Sequence, residues 1–150
     1  MIVIVSFLPR SGASGLALYT LELSLANIER FWPAGDVDVI IVDNNAAESG
    51  SDQLLRGIVQ RNMSATFAAT NVRIIANHDA ETGRRYIFGA LYTLFRELGW
   101  AACIPYEYMT LLHHSSALLR PLSFPSAGTA DAFEFRPFLY FDLFFDGPRT

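Results

Sequence analysis

The chain has 150 residues, 51% of them apolar, a net charge of −4, one cysteine (Cys103) and no lysine, all eleven basic residues being arginine. One core hiding roughly two-thirds of the unfolded surface is expected. An intramolecular disulfide, a thiolate zinc cluster, lysine Schiff-base chemistry and a Walker A loop are excluded, and the absence of a long block of one charge sign argues against nucleic acid as the main partner. No run reaches the ~18 apolar residues of a membrane span, and "MIVIVSFLPR" lacks the basic start and the length of a signal segment, so a cytoplasmic protein without a transmembrane segment is expected.

Ile2 to Leu8 is a short β-branched run that leads into the Gly/Ser loop "PRSGASG", which reads as a buried strand followed by a turn. From Leu16 to Trp32 the apolar positions Leu18, Leu21, Leu25, Ile28 and Trp32 fall three or four apart, which predicts an amphipathic helix stopped by Pro33. "VDVIIV" is a second strand, ending at Asp43, Asn44 and Asn45. Ser51 and Asp52 open a helix through about Arg61, with Leu54, Leu55, Ile58 and Val59 as its inner face.

"NVRIIAN" is the third strand, "HDAETG" the loop after it, and Arg84 to Leu98 a third helix with Ile87, Leu91, Leu94, Phe95 and Leu98 on one side and a stop at Gly99. "YEYMTLL" is the fourth strand and delivers the pair His113 and His114. Beyond "LLRPL" the segment 123–150 is a phenylalanine-rich extension, expected to add one or two strands or an apolar arm that packs on the same core or on a partner. Strands alternating with helices predict an α/β fold, a mostly parallel sheet with helices on both faces.

In such sheets ligands gather beyond the carboxyl ends of the strands. Those ends are Phe7 to Gly15, Asp43 to Asn45, Asn77 to Arg85 and His113 to Ser116. "GASG" is either a phosphate turn or a flexible Gly/Ser turn, since Gly12 and Gly15 supply only part of G-x-G-x-x-G. Asp43 is either a carboxylate that faces the crevice and accepts hydrogen bonds from ribose or base, or a surface turn residue. Arg84 and Arg85 beside a helix start suit a diphosphate, which takes bidentate hydrogen bonds. Adjacent residues on a strand point to opposite faces, so His113 and His114 are not expected to share one ion.

The order of "VIVSF", "VDVIIVDNNA", "NVRIIANHDAETGRRYIFGALYTL" and an apolar strand ending in a polar cluster before "LLRPL" resembles the nucleotide-binding half of family 2-like GT-A fold glycosyltransferases, over residues 1–122. The resemblance implies a Rossmann-like domain for a nucleoside-diphosphate sugar. In that family the acidic residue ending the second strand contacts the nucleoside, which corresponds to Asp43. The asparagine and glycine near the sugar nucleotide correspond to Asn77 and Gly83. With the crevice segments added, the nucleotide-binding set is Phe7, Asp43, Asn44, Asn77, Gly83, Arg84 and Arg85, and the catalytic candidates are His113 and His114.

The family ends its fourth strand in a D-x-D metal motif, where this chain has His113, His114 and Ser115. Magnesium and manganese prefer oxygen ligands, so no metal ligands are assigned, and a histidine, neutral or cationic, is expected to serve phosphate instead. Asp131, Glu134, Asp142 and Asp146 are the carboxylates after the fourth strand from which a general base could come. Two other expectations stand beside this one. The first is a non-catalytic relative that keeps the sheet for assembly with a second copy or another domain. The second is a Rossmann-type dinucleotide enzyme built on "SGASG" and Asp43.

Overall fold

The computed structural model describes residues 1–6, 15–32, 35–46, 51–83, 87–99 and 109–120. Within these, the chain runs β1 (Ile2–Ser6), α1 (Gly15–Phe31), β2 (Val39–Asp43), α2 (Ser51–Asn62), α3 (Ala65–Asn71), β3 (Val72–Ala76), α4 (Ala80–Gly83), α5 (Ile87–Leu98) and β4 (Thr110–His113). The four strands form one sheet in the order β3-β2-β1-β4, and every pairing is parallel. The α/β class and the Rossmann-like arrangement expected from the sequence are therefore present. The phenylalanine-rich extension 123–150 lies outside the described residues.

β1 is hydrogen-bonded on both sides, to β2 and to β4. A strand in that position is covered on both faces and must be apolar throughout, which accounts for the unbroken "IVIV" of β1 and "VII" of β2. Successive side chains divide between the faces with period two. Ile2, Ile4, Val39, Ile41 and Leu112 meet Leu21, Leu25 and Ile28 of α1 and Leu55 and Ile58 of α2. Val3, Val5, Ile40, Val42 and Ile75 meet Ala90 and Leu94 of α5 on the other face. Each of these valine, leucine and isoleucine side chains, when fully buried, contributes roughly 1.5–3 kcal/mol relative to exposure.

The two faces follow from the winding. From β1 through β2 to β3 the chain steps in one direction, with α1 and α2 on one side; it then returns past β1 to β4, and α5 lies on the opposite side. Crossovers between parallel strands are right-handed, so reversing the direction transfers the helix to the other face. The reversal places a topological switch point between β1 and β4.

Local signals set the element ends. Gly99 takes φ +73° and returns its N–H to the Phe95 carbonyl at 2.9 Å, closing α5 as expected. α3 and α4 are additions to the expected elements, α4 forming within "HDAETG", expected as a loop. "ATFAATN" carries one large apolar anchor, Phe67, and its helix is fixed by Ser64, whose hydroxyl accepts from the Phe67 N–H at 3.3 Å. Asn71 belongs to α3 rather than to the third strand, and its amide donates to the Val37 carbonyl at 2.8 Å.

Two expected inner faces are corrected. Leu54 is exposed, and α2 buries Ser51, Leu55, Ile58 and Val59. On α5 the buried residues are Gly89, Ala90, Thr93 and Leu94, while Ile87 is 40% exposed and Phe88 is 80% exposed. Leu94 is fully buried and Leu91 and Leu98 pack against the same cluster, as expected, so the correction on α5 is confined to Ile87, and Gly89 and Ala90 join the buried face.

After β4 the chain turns and runs along α1. Thr20 donates its hydroxyl to the His114 carbonyl (3.2 Å), Ser24 to the Ser116 carbonyl (2.6 Å) and the Asn27 amide to the Leu118 carbonyl (2.6 Å), while the Leu118 N–H donates back to Ser24 Oγ (3.0 Å). Alternate residues of the segment are thus matched to a polar stripe one helical turn apart on α1. Replacing Ser24 strands a buried N–H and a buried carbonyl together, and each such loss costs about 1–3 kcal/mol. Ser24→Ala is expected to lower the unfolding free energy by about 2 kcal/mol or more in urea titrations, whereas Phe88→Ser, at an exposed site, should leave it nearly unchanged.

Candidate functional site

The parallel ladder stops within one residue of a common level. Ser6 is the register partner of Asp43, Asp43 of Ala76, and Val5 of His113. Just above, the Asn44 N–H donates to the Ser6 carbonyl (2.9 Å), Asn77 N–H to the Asp43 carbonyl (2.8 Å) and His114 N–H to the Val5 carbonyl (2.9 Å). Below this level β1 and β2 are aliphatic. At it the sheet ends in buried polar side chains: Ser6, Asp43, Asn44, Asn45, Asn77, His114 and Ser116. Asp43, Asn44, Asn77, His113 and His114 are therefore brought to the same edge. Gly83 is the last residue of α4, and Phe7, Arg84 and Arg85 lie outside the described residues.

Asp43 is fully buried, not on the surface of a turn. Its Oδ2 accepts from the Ser51 hydroxyl at 2.6 Å and its Oδ1 from the Asn45 N–H at 3.0 Å. Burial pushes its carboxyl above the usual range; the hydrogen bonds from Ser51 and Asn45 pull it partly back, Asp52 adds to the rise and His78 opposes it. Ser51, expected as a helix cap, thus serves as a clamp between the start of α2 and the end of β2. The carboxylate first organises its own loop.

Asn77 is also fully buried and links the ends of β2 and β3. Its amide donates to Asn44 Oδ1 (3.2 Å), and its Oδ1 accepts from the Asp79 N–H (3.1 Å). The Asp79 carboxylate in turn accepts from the Glu81 N–H (3.0 Å) at the start of α4. Short polar side chains that bond to a backbone two residues on build such turns.

The histidines differ from expectation. His113 ends β4 and His114 already belongs to the turn, so strand alternation does not separate them; their ring centroids lie 4.0 Å apart at an interplanar angle of 39°. His113 Nδ1 lies 2.5 Å from Ser115 Oγ and accepts from the Ser115 N–H at 3.3 Å. A backbone N–H only donates, so Nδ1 is the acceptor nitrogen and the neutral ring carries its hydrogen on Nε2. Burial lowers the pKa of His113. Burial also pushes His114 down to about 4, assisted by His113 beside it and opposed by hydrogen bonding at the Val5 backbone. Both rings are neutral near pH 7, which corrects the cationic alternative for a phosphate partner.

Among the described residues no three histidine, cysteine, aspartate or glutamate side chains gather in a metal-binding group, and no helix is long and apolar enough to cross a membrane. Three buried hydroxyl oxygens there lack a hydrogen-bond partner: Ser6 Oγ, Thr93 Oγ1 and Ser116 Oγ. Ser6 and Ser51 escaped the sequence reading of the site. The available signal for Ser6 was the serine that closes an otherwise aliphatic "IVIVS". Comparison with family models, with curated proteins and with solved structures returns no match.

The histidine pair predicts an acid response. His114 has a folded-state pKa below its ordinary 6.5, so the unfolded chain binds the proton more readily. Its contribution is complete above pH 6.5 and is lost as pH falls toward 4, up to roughly 3 kcal/mol; Asp43, shifted the other way, is eased by acid and opposes part of this. Unfolding free energies measured from pH 7 to 4 are expected to fall, and His114→Phe should flatten that decline.

Proposed function

We propose that the chain is a glycosyltransferase, or the donor-binding domain of one, that takes a nucleoside-diphosphate sugar at the carboxyl edge of its sheet. The observation that supports this most is the coincidence of the switch point beside β1 with a buried polar level at the ends of central strands, β1 and β2, that are aliphatic below it. Ligands of doubly wound sheets bind at that place because the loops there diverge and leave a crevice. The sequence resemblance supplies the ligand class, and the order of its segments is matched by the order of the strand ends.

In this reading Asn77 and the β2 end around Asp43 and Asn44 shape the nucleoside side. Arg84 and Arg85 supply charge to the diphosphate, in a chain without lysine. His113 and His114, neutral, give hydrogen bonds rather than charge, and no carboxylate pair stands at the end of β4 to hold a divalent ion. The acceptor hydroxyl must lose its proton as it attacks the anomeric carbon while the nucleoside diphosphate leaves.

A second reading, a non-catalytic assembly domain, draws on one specific observation. Asp43 uses both of its oxygens within its own loop, while Phe88 and Tyr92, one turn apart on α5, stand exposed. Calorimetry with UDP-glucose, dTDP-glucose and GDP-mannose, with and without manganese and with NAD as control, separates the readings. At least one donor is expected to bind, with an affinity that manganese changes by less than about threefold. Heat from none of the donors removes the transferase reading, and heat from NAD alone would turn it toward a dinucleotide enzyme.

A further inference from the structure

Ser6 is the last residue of β1, the strand on which the switch point falls, and its side chain is fully buried. Ile2 and Ile4 lie in the cluster packed on α1, so Ser6 continues the same side of the sheet at its carboxyl edge. Its register partner is Asp43 on β2, and on the other side His114 is hydrogen-bonded to Val5 just beyond the end of β4. Strands in a sheet are spaced about 4.8 Å apart, so the Asp43 carboxyl and the Ser6 hydroxyl stand side by side on neighbouring strands, and the turn that carries His114 begins on the β4 side of Ser6. Asp43 is committed to Ser51 and Asn45, and Ser6 Oγ bonds to neither neighbour.

A buried hydroxyl left unmatched is costly, and most such groups in folded proteins have a partner. An aliphatic residue would serve the core better at this position. We propose that the Ser6 hydroxyl is a ligand-binding group, which completes its hydrogen bonding with an uncharged hydroxyl or carbonyl of the bound donor. The ligand group is uncharged because the described residues that flank Ser6 are a carboxyl and a neutral ring, with no cation among them, and an ionised Asp43 would repel a phosphate oxygen. The diphosphate therefore lies away from Ser6. This assignment rests on the donor-binding reading and specifies which part of the ligand meets β1.

Ser6→Ala and the near-isosteric Ser6→Cys provide the test, with Thr93→Val as a control that removes an unpartnered buried hydroxyl from α5, away from the strand ends. Thermal melts are recorded without ligand, and calorimetry uses whichever of UDP-glucose, dTDP-glucose or GDP-mannose binds the native chain. In the ligand-free protein Ser6→Ala should melt at the same temperature or higher, because it deletes a polar atom that has no partner. It should bind the donor about five- to tenfold more weakly, Ser6→Cys should also be weakened, and Thr93→Val should bind normally. Equal donor affinity in native and Ser6→Ala protein overturns the assignment while leaving the donor-binding reading intact. A clear fall in the ligand-free melting temperature of Ser6→Ala overturns it as well, since the hydroxyl would then be satisfied without ligand. If the native chain binds no donor, the underlying reading fails and the assignment falls with it.

Discussion

The parallel pairing of β1 between β2 and β4 is the constraint on which the remaining structure depends. A strand bonded on both edges and covered on both faces has no exposed surface, so its residues are aliphatic until the sheet ends. The same pairing fixes where it ends. Because Ser6 is paired with Asp43 and Val5 with His113, the change from aliphatic to polar occurs within one residue of a common level across three strands. A one-residue slip of any strand would carry its side chains to the wrong face and scatter that level.

The polar level is held by internal bonds before any ligand is considered. Asp43 ties Ser51 and Asn45, Asn77 ties Asn44 and Asp79, and Ser115 holds His113. Such bonds fix side chains in one arrangement, as a binding site requires, and they also use up hydrogen-bonding capacity. The two effects compete, and Asp43 shows the competition most clearly: its carboxylate is at the expected strand end, yet both oxygens serve the β2–α2 connection. Ser6 differs from it, being equally buried and without a partner.

Much of the fold was legible because its signals are periodic. The three- and four-residue spacing of Leu18, Leu21, Leu25 and Ile28 gave α1 and its inner face, and β-branched runs gave β2 and β3 within a residue or two. β4, by contrast, starts at Thr110 and excludes Met109, and part of the expected "YEYMTLL" lies outside the described residues. On α5 the spacing of Leu91, Leu94 and Leu98 marks the inner face correctly, and only Ile87 departs from it, because Gly89 and Ala90 take the place nearest the sheet. α3 carried too few apolar residues to register. At the site, the residues that strand ends bring together were foreseeable from the order of segments. Their bonding was not: whether Ser51 caps a helix or clamps Asp43, or whether two adjacent histidines diverge or stack, depends on turn geometry that no spacing records.

The central claim is that the carboxyl edge beside β1 receives the donor, and mapping the ligand by amide chemical shifts tests it most directly. Titration with UDP-glucose, dTDP-glucose or GDP-mannose is predicted to shift the amides of Ser6, Asp43 to Asn45, Asn77 and His113 to Ser116, and to leave the outer face of α5 unmoved. Shifts centred on Phe88 and Tyr92, or no shifts with any of the three donors, would contradict it.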